Sequence, residues 1–283
     1  MGRPTAVSRV RGVIGAIVLI AILAVVLYPL IWLLGGSFKS PTEVVSNMSL
    51  LPTEPTLGNY PDGWSYIQGV PFGTFFVNSM VISLLSVVAN GVSCLVTAYA
   101  FARLRFFGRK VFFALMIGTL LLPGHVLIIP QYVMFNEFGW VDTPLPLVIP
   151  KLLATEAFFV FLMVQFMRGI PRELDDAAKI DGCDPYRTFR HVILPLSRPA
   201  LITTAIFSFI WTWNDFFTQL VYLPSVEKYT VPIALRLFID SSGQTSLGPM
   251  MAMSVLALMP VFLFFLAFQR FLVEGINTSG LKG

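Results

Sequence analysis

The chain has 283 residues, of which 56% are hydrophobic and 12% are charged. Soluble domains average about 45 to 50% apolar and about 25% charged residues, so this composition excludes an ordinary soluble protein and indicates an integral membrane protein. The formal net charge is +4. The basic residues lie between apolar stretches rather than in one block, which is typical of membrane orientation and not of nucleic-acid binding.

Six apolar stretches are long enough to cross a bilayer as helices, since about 20 residues rising about 1.5 Å each span roughly 30 Å of hydrocarbon. The first is longer than the apolar region of a cleavable signal peptide, about 7 to 15 residues, and is therefore expected to remain as a span. The fourth stretch contains Lys151 and Glu156, and the fifth contains Asp215. The predicted spans are residues 13–34, 75–101, 111–135, 144–167, 201–223 and 249–268.

The basic residues predict the orientation of these spans. Most of the 19 Lys and Arg residues lie in the N-terminus, in the second and fourth inter-span loops and in the tail, which six spans place on one side. The positive-inside rule assigns that side to the cytoplasm. We therefore expect a multi-pass protein of the cell (inner or plasma) membrane with a cytoplasmic N-terminus (1–12) and a cytoplasmic tail (274–283).

The loop between the fourth and fifth spans, residues 169–198 and called here the helix-pair loop, is predicted to form two short amphipathic helices. Pro171 suits a first helical turn, and three acidic residues follow where negative charge favours the helix dipole. Gly182 is placed to end this helix in a left-handed conformation, and Asp184 with Pro185 to begin the next. These residues alone leave open an interfacial helix pair on anionic lipid. The expected faces are Leu174, Ala177, Ala178 and Asp181 on the first helix and Tyr186, Phe189 and Ile193 on the second.

The same loop contains a spaced motif. Asp176-Ala177-Ala178 is followed after three residues by Gly182, and after nine more by Val192, one residue and Leu194-Pro195. The pattern resembles the EAA signature of inner-membrane permease subunits of bacterial ABC importers, with Asp in place of Glu and Val in place of Ile. In that family the loop is a coupling helix that fits a groove on an ATPase subunit.

Two further stretches resemble the carbohydrate branch of that family and are similar to the second permease of maltose-type importers. They are Trp211-Thr-Trp213-Asn214-Asp215-Phe216 in the fifth span and the C-terminal stretch from Gln269 to Gly275, followed by Gly280-Leu-Lys-Gly283. The resemblance implies the all-helical, six-span type I importer fold, with a permease domain over residues 13–273. It also implies a role in ATPase coupling for Asp176, Ala177, Ala178, Asp181 and Gly182.

The resemblance implies several partners as well. They are a second permease subunit forming a heterodimer, two ATPase subunits, an extracytoplasmic solute-binding protein and a carbohydrate substrate, all at the lipid bilayer. The chain contains no GxxxxGK[ST] phosphate-binding loop. ATP and Mg are therefore expected in the ATPase partners, and this chain is expected to have no enzymatic activity and no cofactor of its own.

Intramembrane polar residues are the candidates for a substrate pathway, because each buried charge costs roughly 2.5 to 3.5 kcal/mol at a helix centre. Aromatic rings can stack on sugar rings, while amide and carboxylate groups can accept their hydroxyls. The alternatives are an interfacial position and an interhelical hydrogen bond. Lys151 and Glu156 are expected to pair, and His125 to be a satisfied interior histidine rather than a metal ligand. The candidate pathway residues are Trp211, Trp213, Asn214 and Asp215.

A short polar segment, Gly243, Gln244 and Thr245, lies where maltose-type permeases carry a loop that reaches into the binding protein. The expected substrate is a di- or oligosaccharide, followed by a sugar phosphate ester such as glycerol phosphate, and then a polyamine. A self-contained secondary transporter would need internal repeats, discontinuous helices in corresponding places or a chain of intramembrane carboxylates, and the sequence does not indicate these. A membrane enzyme would need a convergent catalytic set, which His125, Glu156 and Asp215, on three spans without a motif, do not make.

Overall fold

The computed structural model describes residues 6–47, 49–67, 69–239 and 246–277, which form helices joined by turns. Within these residues four stretches are long and apolar enough to cross a membrane, and two bent helix pairs raise the number to six if each pair is one span. The predicted all-helical membrane fold is confirmed. The four stretches outside the bent pairs are Ile14–Gly36, Phe72–Arg103, Leu145–Gly169 and Leu247–Arg270.

The helices follow the predicted order, with more breaks than the sequence suggested. Short 3-10 helices cover Gly124–Leu127 and Val226–Lys228, and a π-helical segment covers Phe189–Ile193. The α-helices are α1 Ala6–Gly36, α2 Pro41–Ser46, α3 Asn59–Trp64, α4 Phe72–Arg103, α5 Arg109–Thr119, α6 Ile128–Glu137, α7 Leu145–Leu152, α8 Ala157–Gly169, α9 Glu173–Ile180, α10 Pro185–Thr188, α11 Leu194–Leu196, α12 Arg198–Asn214, α13 Phe217–Tyr222, α14 Val231–Arg236 and α15 Leu247–Asn277.

The third predicted span is sharply bent. α5 ends at Thr119, and the helical stretch Gly124–Glu137 continues at an angle of 94°. Pro123 lies at the break, where it lacks a backbone N–H and disfavours a helical conformation for the residue before it. Non-helical backbone is tolerated at membrane depth only where protein covers it or water reaches it. The backbone at this bend is therefore expected to be covered by protein or reached by water.

One compact unit consists of Met1–Phe72 and Leu235–Leu258. In it, Asn59 donates from Nδ2 to the backbone oxygens of Ser37 and Lys39, at 2.9 and 2.7 Å. Lys39 is 2% exposed, and its Nζ donates to the backbone oxygens of Asn47 and Ser49 at 2.8 and 2.7 Å. These contacts satisfy a buried cation, which would otherwise be costly, and fix the turn after α1.

The other compact unit consists of Gly73–Ala234 and Met259–Gly283. Its apolar core combines buried side chains of α4 and α8, among them Cys94 and Ala98 of α4. Both are fully buried, as are the α8 residues Val160 and Met163. This core holds the end of α4 beside the helix-pair loop.

Asn78, near the start of α4, hydrogen-bonds the segment between α13 and α14. Its Nδ2 donates to the backbone oxygens of Glu227 and Tyr229, at 2.8 and 2.9 Å. We expect Asn78→Leu to lower the free energy of unfolding by about 1 to 3 kcal/mol, because both carbonyls lose a donor. The thermal unfolding midpoint of the purified complex in detergent measures this. Asn136→Leu, at an exposed position, is the control, and an equal loss there would contradict the assignment.

Candidate functional site

The helix-pair loop has the turn chemistry that its sequence predicts. Gly182 follows α9 with φ of 78°, the left-handed conformation that favours glycine. Asp184 precedes α10, and its Oδ1 accepts a hydrogen bond from the Arg187 backbone N–H at 2.7 Å. One expectation is wrong: Pro171 lies outside α9, because this helix begins at Glu173.

The sequence predicts that Ala177 and Ala178 share one face of α9, but in the structure they have different surroundings. Ala178 is 6% exposed and faces the protein, whereas Ala177 is exposed. Successive residues of a helix are about 100° apart, so neighbouring alanines can face different surroundings. Tyr186 does not join Ile193 on a buried face, since it is 65% exposed while Ile193 is fully buried. Tyr186 and Ile180, which is 87% exposed, give the loop an outward apolar surface.

The remaining motif residues of α9 lie at the surface. Lys179 Nζ donates to Asp176 Oδ1 at 2.8 Å, and both side chains are 69% exposed. The hydrogen bond from Lys179 and its positive charge lower the pKa of Asp176, so this carboxylate is ionised at neutral pH. Asp181, at the end of α9, is exposed as well. Asp176, Ala177 and Asp181 are therefore accessible to a partner.

Arg103, the last residue of α4, is a residue of this region that the sequence reasoning missed. Its guanidinium donates to Asp175 of α9 at 2.7 Å. Tyr99, one turn earlier, donates its hydroxyl to the backbone oxygen of Pro185 at 2.8 Å. In the sequence these residues stand out only as a tyrosine and an arginine four residues apart at the end of a span. The sequence does not indicate which residues they contact.

A polar cavity of about 870 Å³ lies among the helix breaks of the membrane region. Three of the predicted spans contribute four ionisable side chains, two of them from the fourth span. These are His125, Lys151, Glu156 and Asp215. Ionisable side chains are energetically costly in a membrane and are usually present there for a function. This concentration of polar groups therefore indicates a substrate pathway. The other polar and aromatic lining residues include Asn90, Gln131, Thr155, Phe159, Trp211, Asn214 and Thr218.

Lys151 does not form the expected ion pair with Glu156. Its Nζ donates to Thr212 Oγ1 at 2.8 Å and to Ser86 Oγ at 3.2 Å, and among the described residues no carboxylate oxygen lies within 4 Å of it. The fourth span is interrupted between the two residues, where α7 ends and Ala154 adopts φ of 56°. Residues five positions apart lie about 140° apart around a continuous helix, so their spacing does not by itself favour this ion pair.

The fifth span brings three of its four predicted residues to the cavity. α12 ends at Asn214, and Asp215 Oδ1 accepts a hydrogen bond from the Thr218 backbone N–H at 3.1 Å, at the start of α13. Trp211 is 46% exposed and lines the cavity with these residues. Trp213 was wrongly predicted to do so. It is 2% exposed and stacks against other rings, because two residues along a helix is a rotation of about 200°.

Two further predictions concern His125 and the outer polar loop. His125 is not an interior residue of this chain, because it is exposed to the cavity, where its ring stacks on Phe217 at 5.0 Å. Across the described ranges, no three His, Cys, Asp or Glu side chains are grouped as metal ligands would be. Gly243, Gln244 and Thr245 lie outside the described residues, so their role stays a prediction.

The family of the chain follows from sequence comparison. The profile of a family described as "Binding-protein-dependent transport system inner membrane component" matches residues 89–278, about two thirds of the chain. The chain belongs to this family. The matched range includes the helix-pair loop and the cavity, so the resemblance first noted in Asp176-Ala177-Ala178 is confirmed. The protein is a multi-pass membrane permease subunit of an ABC importer.

Individual relatives cover nearly the whole chain. The arabinooligosaccharides transport system permease protein AraQ of Halalkalibacterium halodurans is 34% identical over 93% of each chain. The trehalose/maltose transport system permease protein MalG of Thermococcus litoralis is 33% identical over 99% of each. A crystal structure of a bacterial ABC transporter for import of the acidic polysaccharide alginate contains a chain with TM-score 0.82, 23% identity and coverage of 95% and 99%. This last match shows that the two chains share a fold.

Proposed function

We propose that this permease subunit carries a di- or oligosaccharide across the membrane, as half of a pathway formed with a second permease subunit. The polar cavity carries the proposal. Trp211 offers an aromatic ring that is 46% exposed, while Glu156, Asp215 and Asn214 offer oxygens that accept hydroxyl hydrogen bonds. AraQ and MalG, named for oligosaccharide and disaccharide transport, support a carbohydrate as the substrate.

The charges of the cavity favour an uncharged substrate. Glu156 and Asp215 place two carboxylates in it, and Lys151 supplies one ammonium group. An anion such as a sugar phosphate ester would meet an excess of negative charge, and this repulsion is strong where water is scarce. The Lys151 ammonium already donates two of its three N–H groups to hydroxyl oxygens. A neutral carbohydrate is therefore preferred over a sugar phosphate ester.

In this proposal the energy for transport comes from ATP binding and hydrolysis in two partner ATPase subunits, which bind ATP and Mg. The outward apolar surface of the helix-pair loop supports a docking role, because Ile180 and Tyr186 are exposed on an otherwise charged loop. The exposed Ala177 lets a partner helix or groove approach the backbone closely. Asp176 and Asp181 provide charge beside it.

The proposed orientation places the helix-pair loop and both termini in the cytoplasm, because most basic residues lie on that side. An extracytoplasmic solute-binding protein would then deliver the sugar to the opposite side. The segment Gly243, Gln244 and Thr245 is the proposed contact with that protein. Replacing Gln244 and Thr245 with alanine tests this contact, and unchanged transport and complex stability would contradict it.

Uptake by proteoliposomes tests the proposed function. We expect the complex, reconstituted with its ATPase subunits, to import labelled oligosaccharide only with ATP on the loop side and binding protein on the other. A labelled sugar phosphate ester of similar size is expected to enter poorly. Uptake without ATP, driven by an ion gradient, would contradict the proposal and indicate a secondary transporter. Preferred uptake of the phosphate ester would contradict the substrate class.

A further inference from the structure

The guanidinium of Arg103 joins three helices at the helix-pair loop. Arg103 is the last residue of α4, and its side chain is 4% exposed. Nη1 donates to Asp175 Oδ2 in the first turn of α9 at 2.7 Å. Nη2 donates to the backbone oxygens of Met167 and Ile170, at 2.6 and 2.8 Å, where α8 ends. One planar group thus holds the end of α8 and the start of α9 on the end of α4.

A second contact fastens the other helix of the loop to the same place. Tyr99 lies one turn before Arg103 on α4, and its hydroxyl donates to the backbone oxygen of Pro185, the first residue of α10, at 2.8 Å. The Tyr99 ring also packs against Phe189 with ring centroids 4.9 Å apart. Both helices of the loop are therefore attached to α4, which lies 72 to 86 residues earlier in the chain.

The chemistry of the Arg103 contact makes it stiff. A guanidinium presents its donors in a fixed plane, so it can hold a carboxylate and two carbonyls at once, whereas an ammonium is a single point charge. The ion pair with Asp175 is shielded, since the two side chains are 4% and 15% exposed. Breaking such a pair leaves charge unpaired in a poorly hydrated place, which is strongly unfavourable. The loop cannot tilt without moving α4 or losing this contact.

α4 also reaches the polar cavity. Its Asn90 lines the cavity and donates to Ser208 of α12, while its Ser86 accepts a hydrogen bond from Lys151. The same helix therefore carries Arg103 at one end and two cavity contacts further along. We propose that Arg103 is a positioning residue that transmits movement of the helix-pair loop through α4 to the cavity. This proposal rests on the proposed function, because it takes the loop as the ATPase coupling site.

The number of sugar molecules imported per ATP hydrolysed tests the proposal in proteoliposomes. The double variant Arg103→Met with Asp175→Leu removes both charges, so no unpaired charge remains to unfold the loop. We expect this ratio to fall about tenfold, with the ATPase still bound and its basal hydrolysis retained. Arg103→Met alone is expected to lower the ratio as much as the double variant, since both remove the guanidinium that makes all three hydrogen bonds. Arg105→Met, two residues away at an exposed position, is the matched control.

Tyr99→Phe provides a milder second variant, because it removes only the hydroxyl that holds α10 and keeps the ring packing. We expect it to lower the ratio about two- to fivefold. A wild-type ratio in the double variant, or in Tyr99→Phe should the double variant not assemble, would overturn the proposal. An equal loss in Arg105→Met would overturn it as well. Failure of the proposed function would look different, since the wild-type complex itself would show no ATP-driven uptake.

Discussion

Gly182→Val is expected to reduce ATPase stimulation and transport by about tenfold or more, while assembly persists. Gly182 lies between α9 and α10 with φ of 78°. A side chain in this conformation costs roughly 1 to 2 kcal/mol, and more for a β-branched residue. Apart from its two chain neighbours, no atom of the described residues lies within 4 Å of where its Cβ would be, so the penalty arises from the backbone. ATPase activity of the purified complex, with and without sugar-loaded binding protein, measures the effect.

Gly182→Asn is the matched variant, because asparagine tolerates the left-handed conformation better than valine. It adds a side chain at the same open position and is expected to keep most of the stimulation. Gly169→Val adds the same bulk where there is also space and where φ is not positive. Full activity in Gly182→Val, or equal loss in Gly169→Val, would show that the angle between α9 and α10 does not control coupling.

Lys151→Met is expected to destabilise the protein by about 3 kcal/mol and to lower sugar uptake strongly. The Lys151 ammonium interacts electrostatically with Glu156 and Asp215 and donates to Thr212 and Ser86. Its removal leaves two carboxylates in the cavity without a compensating charge, a costly arrangement away from bulk water. The thermal unfolding midpoint in detergent and uptake in proteoliposomes measure the two effects.

Two comparisons separate charge balance from side-chain size. Lys151→Met combined with Asp215→Asn removes one charge of each sign and is expected to recover most of the lost stability. Lys228→Met makes the same chemical change at an exposed position and is expected to have little effect. The account would be contradicted if the double variant were less stable than Lys151→Met alone.

Local signals in the sequence were enough to predict much of the fold and the loop. Long apolar runs identify spans because the bilayer sets a minimum length. The left-handed Gly182 and the Asp184 cap depend on a few neighbouring residues, and the structure has both. Asp215 was identified as a functional candidate because an intramembrane carboxylate is costly, and it lines the cavity.

Features that depend on tertiary packing could not be predicted in this way. Ala154 has a positive φ within the fourth span although alanine is a strong helix former, and Lys151 donates to hydroxyl groups of α4 and α12 that lie far from it in the sequence. The rotation of α12 about its axis decides whether Trp211 or Trp213 faces the cavity. The sequence does not fix this rotation, so the prediction for Trp213 is wrong. Arg103 contacts residues more than 60 positions away.

Cross-linking at the helix-pair loop tests the central claim most directly. Ala177 is exposed on α9 and its neighbour Ala178 is 6% exposed, so a cysteine at each position compares the two faces. Cys94 and Cys183 would first be replaced with serine. With a short bifunctional reagent, we predict that Ala177→Cys cross-links efficiently to the ATPase subunit in the assembled complex and that Ala178→Cys does not. Absence of any cross-link to an ATPase at residue 177, in a complex that imports sugar, would contradict the proposed coupling.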